Sequence, residues 1–219
     1  MNEFLTNLSV YREAIRQTLY IVGVSLLIGG VLGLALGLVL YATRPGNLLG
    51  NRAVHLIVNV VVNVVRPVPF VIFITAIQPL MLHTIGTTIG TNAVTFALCL
   101  SAAFAISRVV EQTLLTVDPG VVEAARAAGA RPISILVTVL IPEALGPLIL
   151  GYTFIFVAIV DMSAQAGLFG GGGLGDFAIT YGSQRYDWPI VYISVATIVV
   201  IVQAGQFLGN RLARRALRR

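Results

Sequence analysis

Five stretches of this chain are too apolar and too poor in charge to have water as their solvent. Residues 18–43 carry no charged side chain and consist largely of Leu, Val, Ile and Gly. A helix needs about 20 mainly apolar residues to cross a bilayer, and this run exceeds that. Comparable runs cover about 54–82, 91–115, 133–160 and 188–210. Charged residues make up 11% of the chain, against about 25% in an average soluble domain, so little is left to build a domain outside the membrane. The expected fold is an all-α polytopic membrane protein, one transmembrane domain over 1–219 with five membrane-spanning helices. A signal peptide is not expected, because the first run is too long for its apolar core. The residues before it (Glu3, Arg12, Glu13, Arg16) are not net positive either.

Five spans put the termini on opposite sides, and arginines choose the orientation. The chain has 14 arginines and no lysine. If the loops 43–56 and 108–143 share a side with the tail, that side holds ten of them: Arg44, Arg52, Arg108, Arg126, Arg131, Arg211, Arg214, Arg215, Arg218 and Arg219. The other side holds Arg12, Arg16 and Arg185, and Arg66 falls at membrane depth. The split predicts a cytoplasmic C-terminus and an external N-terminus. It also accounts for the net charge of +5 without nucleic acid. Cys99 has no partner for an intrachain disulfide and reads as a small core hydrophobe. His55 and His83 lie far apart without clustered carboxylates, so no metal site is expected.

Gly29, Gly33 and Gly37 recur every four residues, as do Gly205 and Gly209. Small faces let helices approach closely in lipid, so these positions predict helix packing. Arg66-Pro67-Val68-Pro69 interrupts the second run. A charge at depth needs protein, water or substrate beside it, and prolines remove backbone donors. Broken, charged helices often line transport pathways. Either a long kinked helix covers 54–82, or the span begins after Arg66; the kinked helix is expected. Candidate pathway residues are Arg66, Pro67, Pro69 and Phe70, with Asp161, Met162 and Ser163 at the end of the fourth run. Arg66 and Asp161 are candidates to hold the carboxylate and ammonium of a zwitterion. Gly170-x-Gly172-x-x-Gly175 matches a dinucleotide fingerprint only formally, because no strand is expected before it; an irregular external loop is expected instead. No G-x-x-x-x-G-K-[ST] occurs, so the chain is not expected to hydrolyse ATP itself.

Between the third and fourth runs lies VDPGVVEAARAAGARP. Asp118 suits a helix N-cap, Pro119 the first helical position, and Gly129 a left-handed stop. These bound a helix at about 119–128, some 15 Å long at 1.5 Å per residue, too short to span. It lies on the membrane surface or reaches into a partner, with Glu123 and Arg126 bonded to each other at the rim.

Glu123-Ala124-Ala125, three residues, Gly129, nine residues, then Val139-x-Ile141-Pro142 resembles the EAA motif of ABC importer permeases. Val139 and Ile141 are apolar replacements for the usual Ile and Leu. The resemblance implies that 119–128 is a cytoplasmic coupling helix docking into an ATPase, through Glu123, Ala124, Ala125, Arg126, Gly129 and Pro142. Over nearly the whole chain, R-P-V-P-F at 66–70, G-L-F-G-G-G-G-L-G-D at 167–176 and Tyr181-Gly182 are similar to the methionine importer permeases. Asp161 departs from that group's pattern and leaves the exact substrate open. The resemblance implies a homodimer in a bacterial inner membrane, two ATP-binding subunits using ATP and Mg, an external solute-binding protein, and an amino-acid substrate moved by alternating access. No cofactor is implied on this chain. The alternative is a secondary transporter or channel driven by an ion gradient, which would need membrane-depth acids such as Asp161 and Glu111.

Overall fold

In a computed structural model of the chain, residues 8–217 are described. Among them there is no strand; the molecule is a bundle of helices. Four helices are long and apolar enough to cross a membrane: α1 (Leu8–Thr43), α5 (Thr91–Leu114), α7 (Pro132–Phe169) and α9 (Trp188–Ala216). Three of them outrun the expected spans. α1 begins ten residues before position 18, because Tyr11 and Ala14 belong to an apolar cluster with Phe177 and Ile190, and the Tyr11 hydroxyl bonds Thr197 Oγ1 at 2.6 Å.

The second apolar run departs from expectation. It consists of α2 (Arg52–Val65), α3 (Phe70–Ala76) and α4 (Gln78–Ile85). α2 and α3 meet at 113°, a turn back and not the kink expected over 54–82. Pro67 and Pro69 have no N–H for a continuing helix, and Pro69 is extended at ψ 138°, which sends the chain in a new direction. Pro79 opens α4, and Gly86, at φ +73°, closes it. α2 alone is about 21 Å long at 1.5 Å per residue, short of a crossing.

The glycines predicted to pack do so. A Cβ on Gly33 would lie 2.6 Å from Ile106 Cβ, and one on Gly37 2.5 Å from Val110 Cβ. A Cβ on Gly29 would meet the Cys99 carbonyl oxygen at 2.7 Å and Ala102 Cβ at 2.8 Å. α1 and α5 thus touch nearly backbone to backbone, which maximises dispersion contact where lipid offers no hydrophobic drive. Gly205 and Gly209 seat α9 on Phe156 and Thr153 of α7 in the same way. Cys99 is buried at the first seam.

α7 is irregular at its start. Ile135–Leu140 winds as a π-helix just before Pro142, which cannot donate to the carbonyl one turn earlier. The wider i→i+5 pattern absorbs that loss.

Candidate functional site

The short helix α6 (Pro119–Ala127) hangs between α5 and α7, one residue shorter than expected. Its start is built as the sequence requires: Asp118 accepts a bond from the Gly120 N–H at 2.8 Å. Its end is a left-handed stop at Gly129, φ +78°, closed by the Ala130 N–H donating to the Ala125 carbonyl at 3.1 Å. Val122 is buried in the main core with Leu114, Ile135 and Leu136, and Ala125 packs against that cluster. Glu123, Ala124, Arg126, Ala127 and Ala128 are exposed. The helix is therefore held by one apolar stripe and presents small side chains, one acid and one base outward. Glu123 and Arg126 do not pair with each other as expected: the ion pairs among the described residues are Arg16–Glu13 and Arg108–Glu111. A surface free of internal pairing keeps both charges available to a partner. Gly129 and Pro142 are also exposed.

The pathway candidates divide. Arg66, Pro67 and Pro69 are exposed at the α2–α3 break. Phe70 is instead 6% exposed, packed with Phe73, Ile74, Met81 and Leu98, with Val65 and Val68 alongside. Met162 packs against this same cluster, and its sulfur accepts a contact from Ser101 Oγ at 3.9 Å. Ser163 is buried and donates to the Val160 carbonyl at 2.7 Å. So Phe70 and Met162 join the break to α7 from inside, while Ser163 bonds within its own helix. Asp161 is exposed and accepts from Gln165 Nε2 at 3.0 Å. It lines a groove of about 600 Å³ between α7 and α9, with Gln206 and Asn210. Arg66 and Asp161 thus sit on two elements that share a core without forming an ion pair with each other.

Two polar constellations were not read from the sequence. Gln206 and Asn210 are one, signalled only by their four-residue spacing within an apolar run. The other centres on Arg108, which lies inside α5 and not in the following loop. Its guanidinium pairs with Glu111, donates to Asn59, and donates to Asn63 Oδ1 of α2 at 2.6 Å. Asn63 Nδ2 donates to Asn59 Oδ1 at 3.3 Å. The Arg108 and Glu111 side chains are only 13% and 6% exposed. The charge is thus paired and hydrogen-bonded, as burial demands, and it ties α5 to α2. Moving Arg108 out of the loop leaves the arginine asymmetry in the same direction.

The glycine run makes irregular, tight turns and is anchored to α1. Gly170, Gly172 and Gly173 have φ of +63°, +72° and +81°. The Gly173 and Leu174 N–H groups donate to Gln17 Oε1 and Thr18 Oγ1 of α1, each at 2.8 Å. A Cβ on Gly175 would lie 2.1 Å from the Ala164 carbonyl. The run is pinned and folded into α8 (Gly173–Phe177).

Comparison with known proteins places these features in context. A sequence family described as binding-protein-dependent transport system inner membrane component matches residues 29–219. A probable D-methionine transport system permease protein, MetI, of Vibrio cholerae serotype O1 is 41% identical over 97% of this chain and 94% of its own length. A methionine import system permease protein, MetP, of Bacillus subtilis is 38% identical over 78% of each chain. Among solved structures, a chain of the MetNI methionine ABC transporter in an inward-facing conformation superposes with a TM-score of 0.92. It is 35% identical, with 95% of this chain and 97% of that one covered.

Proposed function

The chain belongs to the family of binding-protein-dependent transport system inner membrane components, and from that premise we propose that it carries methionine or a closely related amino acid inward as the membrane-spanning subunit of an ATP-driven ABC importer. Hydrolysis of ATP belongs to a separate subunit, and the ion-gradient alternative loses its support. The observation that carries the coupling is α6: a capped, core-anchored helix whose exposed face bears Glu123, Ala124 and Arg126. In this reading α6 and Gly129 dock on a cytoplasmic ATPase, while Pro142 sets the geometry of the helix that follows. Two copies of the chain enclose the pathway, a solute-binding protein delivers substrate from outside, and the C-terminus lies in the cytoplasm. Closure of the ATPases on ATP and Mg moves α6, and rigid motion of the attached helices exchanges the open side. Arg66 and Asp161, the exposed charges on either side of the shared core, meet the substrate's carboxylate and ammonium.

Co-purification with the neighbouring ATPase, followed by uptake in vesicles, tests both halves. Glu123→Arg and Gly129→Asp are expected to release the ATPase, and Arg66→Ala and Asp161→Ala to keep it but lose methionine uptake. Retention of the ATPase by both α6 variants would remove the docking assignment. Uptake at the wild-type rate in both charge variants would remove the substrate assignment.

A further inference from the structure

A second groove, of about 700 Å³, runs between α1, α7 and α9. Its walls include Leu27 and Val31 of α1, Ile141 and Leu145 of α7, and Leu208 and Leu212 of α9. Leu27, Val31 and Leu208 are more than half exposed. The polar groups along it are already satisfied: the Tyr152 hydroxyl donates to the Gly30 carbonyl and Thr153 Oγ1 to the Ile149 carbonyl, each at 2.7 Å. Nothing in the groove invites water or a polar solute.

α7 shows which way this groove faces. Leu150, Phe154, Val157 and Asp161 line the polar groove with Gln206 and Asn210. At 3.6 residues per turn they lie on the side of the helix opposite Ile141, Leu145, Leu148 and Tyr152. A membrane protein turns its polar side toward a pathway or another protein, which leaves the apolar groove to lipid. The groove also has a charged end. Leu212 is its last residue on α9; Arg211 and Arg215 lie three and seven residues after Leu208, on its side of the helix, whereas Arg214 continues the Gln206–Asn210 row toward the other groove. Arg211 and Arg215 are exposed, and neither pairs with an acid among the described residues. From Ile141 to Phe156 the groove follows about 22 Å of α7, enough for the ~15 Å of one leaflet.

We propose that this groove binds an anionic phospholipid of the leaflet at the tail end of α9, an acyl chain filling the slot and the phosphate resting on Arg211 and Arg215. The inference requires only that the chain sit in a bilayer, so it stands or falls apart from the transport reading. The permease–ATPase complex, reconstituted with equal amounts of phosphatidylglycerol and phosphatidylcholine of identical chains, then extracted, reports bound lipid by native mass spectrometry. Wild type is expected to retain phosphatidylglycerol in preference, each arginine contributing up to about fivefold. Replacing Arg211 and Arg215 by Gln should erase the preference while keeping total lipid, and replacing them by Lys should restore it. Val31→Trp, which fills the slot, should lower retention of both lipids. Equal retention of the two lipids by wild type overturns the proposal even if no variant assembles. So does undiminished retention in Val31→Trp, or a disulfide between Leu27→Cys of two copies, which would put a second protomer in the groove.

Discussion

Replacing Gly29 by Ala probes the seam between α1 and α5 at the point where it covers the buried Cys99. The new Cβ would stand 2.7 Å from the Cys99 carbonyl oxygen and 2.8 Å from Ala102 Cβ. The first is backbone and the second a Cβ, so neither can rotate away. Bringing 2.7 Å to an ordinary contact of 3.4 Å requires the helices to part by about 0.7 Å. Overpacking of this kind costs about 1–3 kcal/mol, which raises the population of an opened seam about 5- to 150-fold. The chain supplies its own reporter: Cys99 is its one cysteine, it is 8% exposed, and its thiol faces the Val24 carbonyl of α1 at 3.9 Å. The rate at which a maleimide labels the permease band of the purified complex measures the opening. Gly23→Ala is the internal control, since a Cβ there meets nothing within 4 Å. Gly29→Ala should label at least fivefold faster than wild type, and Gly23→Ala at the wild-type rate. Equal rates for the two variants would refute the claim that close approach of α1 and α5 holds the seam shut.

Glu111→Ala, which strands the Arg108 charge, should cost about 3–5 kcal/mol, whereas the double replacement Arg108→Leu/Glu111→Leu should cost less; thermal inactivation of the complex ranks them. Asp118→Ala removes the cap of α6 and should cost about 0.5–2 kcal/mol, read as faster hydrogen exchange confined to 119–128. Gly175→Ala forces a Cβ to within 2.1 Å of the Ala164 carbonyl and should halt folding or assembly, visible as loss of the complex on size-exclusion chromatography.

What was legible in the sequence is what local chemistry decides. The long spans follow from uninterrupted apolar runs, and α6 from Asp118, Pro119 and Gly129, each of which acts on its own turn. The α2–α3 break was legible as a break, but its 113° turn depends on Phe70 and Phe73 finding a core with Met81 and Leu98, which no window of sequence contains. The glycine run reads as an irregular loop, and its anchoring is hidden for the same reason. Its partners Gln17 and Thr18 are 156 residues away, and only the folded chain shows that its free donors are taken. Arg108 was assigned to a loop because a charge near the end of an apolar run marks an edge by default. The answering Asn59 and Asn63 were visible as a spaced pair, without a sign of what they faced. Of the candidate site, Glu123, Ala124 and Arg126 of α6 and the charges Arg66 and Asp161 are exposed. Phe70, Met162 and Ser163 turned inward, because adjacent helix positions face different ways.

The seam of Gly29, Gly33 and Gly37 also decides how displacement is shared. The atoms that meet these glycines are carbonyl oxygens and the short side chains of Ala102, Ile106 and Val110, which have little freedom to bend and take up slack, so α1 and α5 form a single stiff beam. α5 runs directly into the linker that carries α6, so a push on that short helix lifts both members of the beam together. α9 rests on ring and hydroxyl side chains of α7, Phe156 and Thr153, which have rotamers to spare. The bundle therefore has a rigid half and a compliant half, and the boundary between them was drawn by where the chain omits a methyl group.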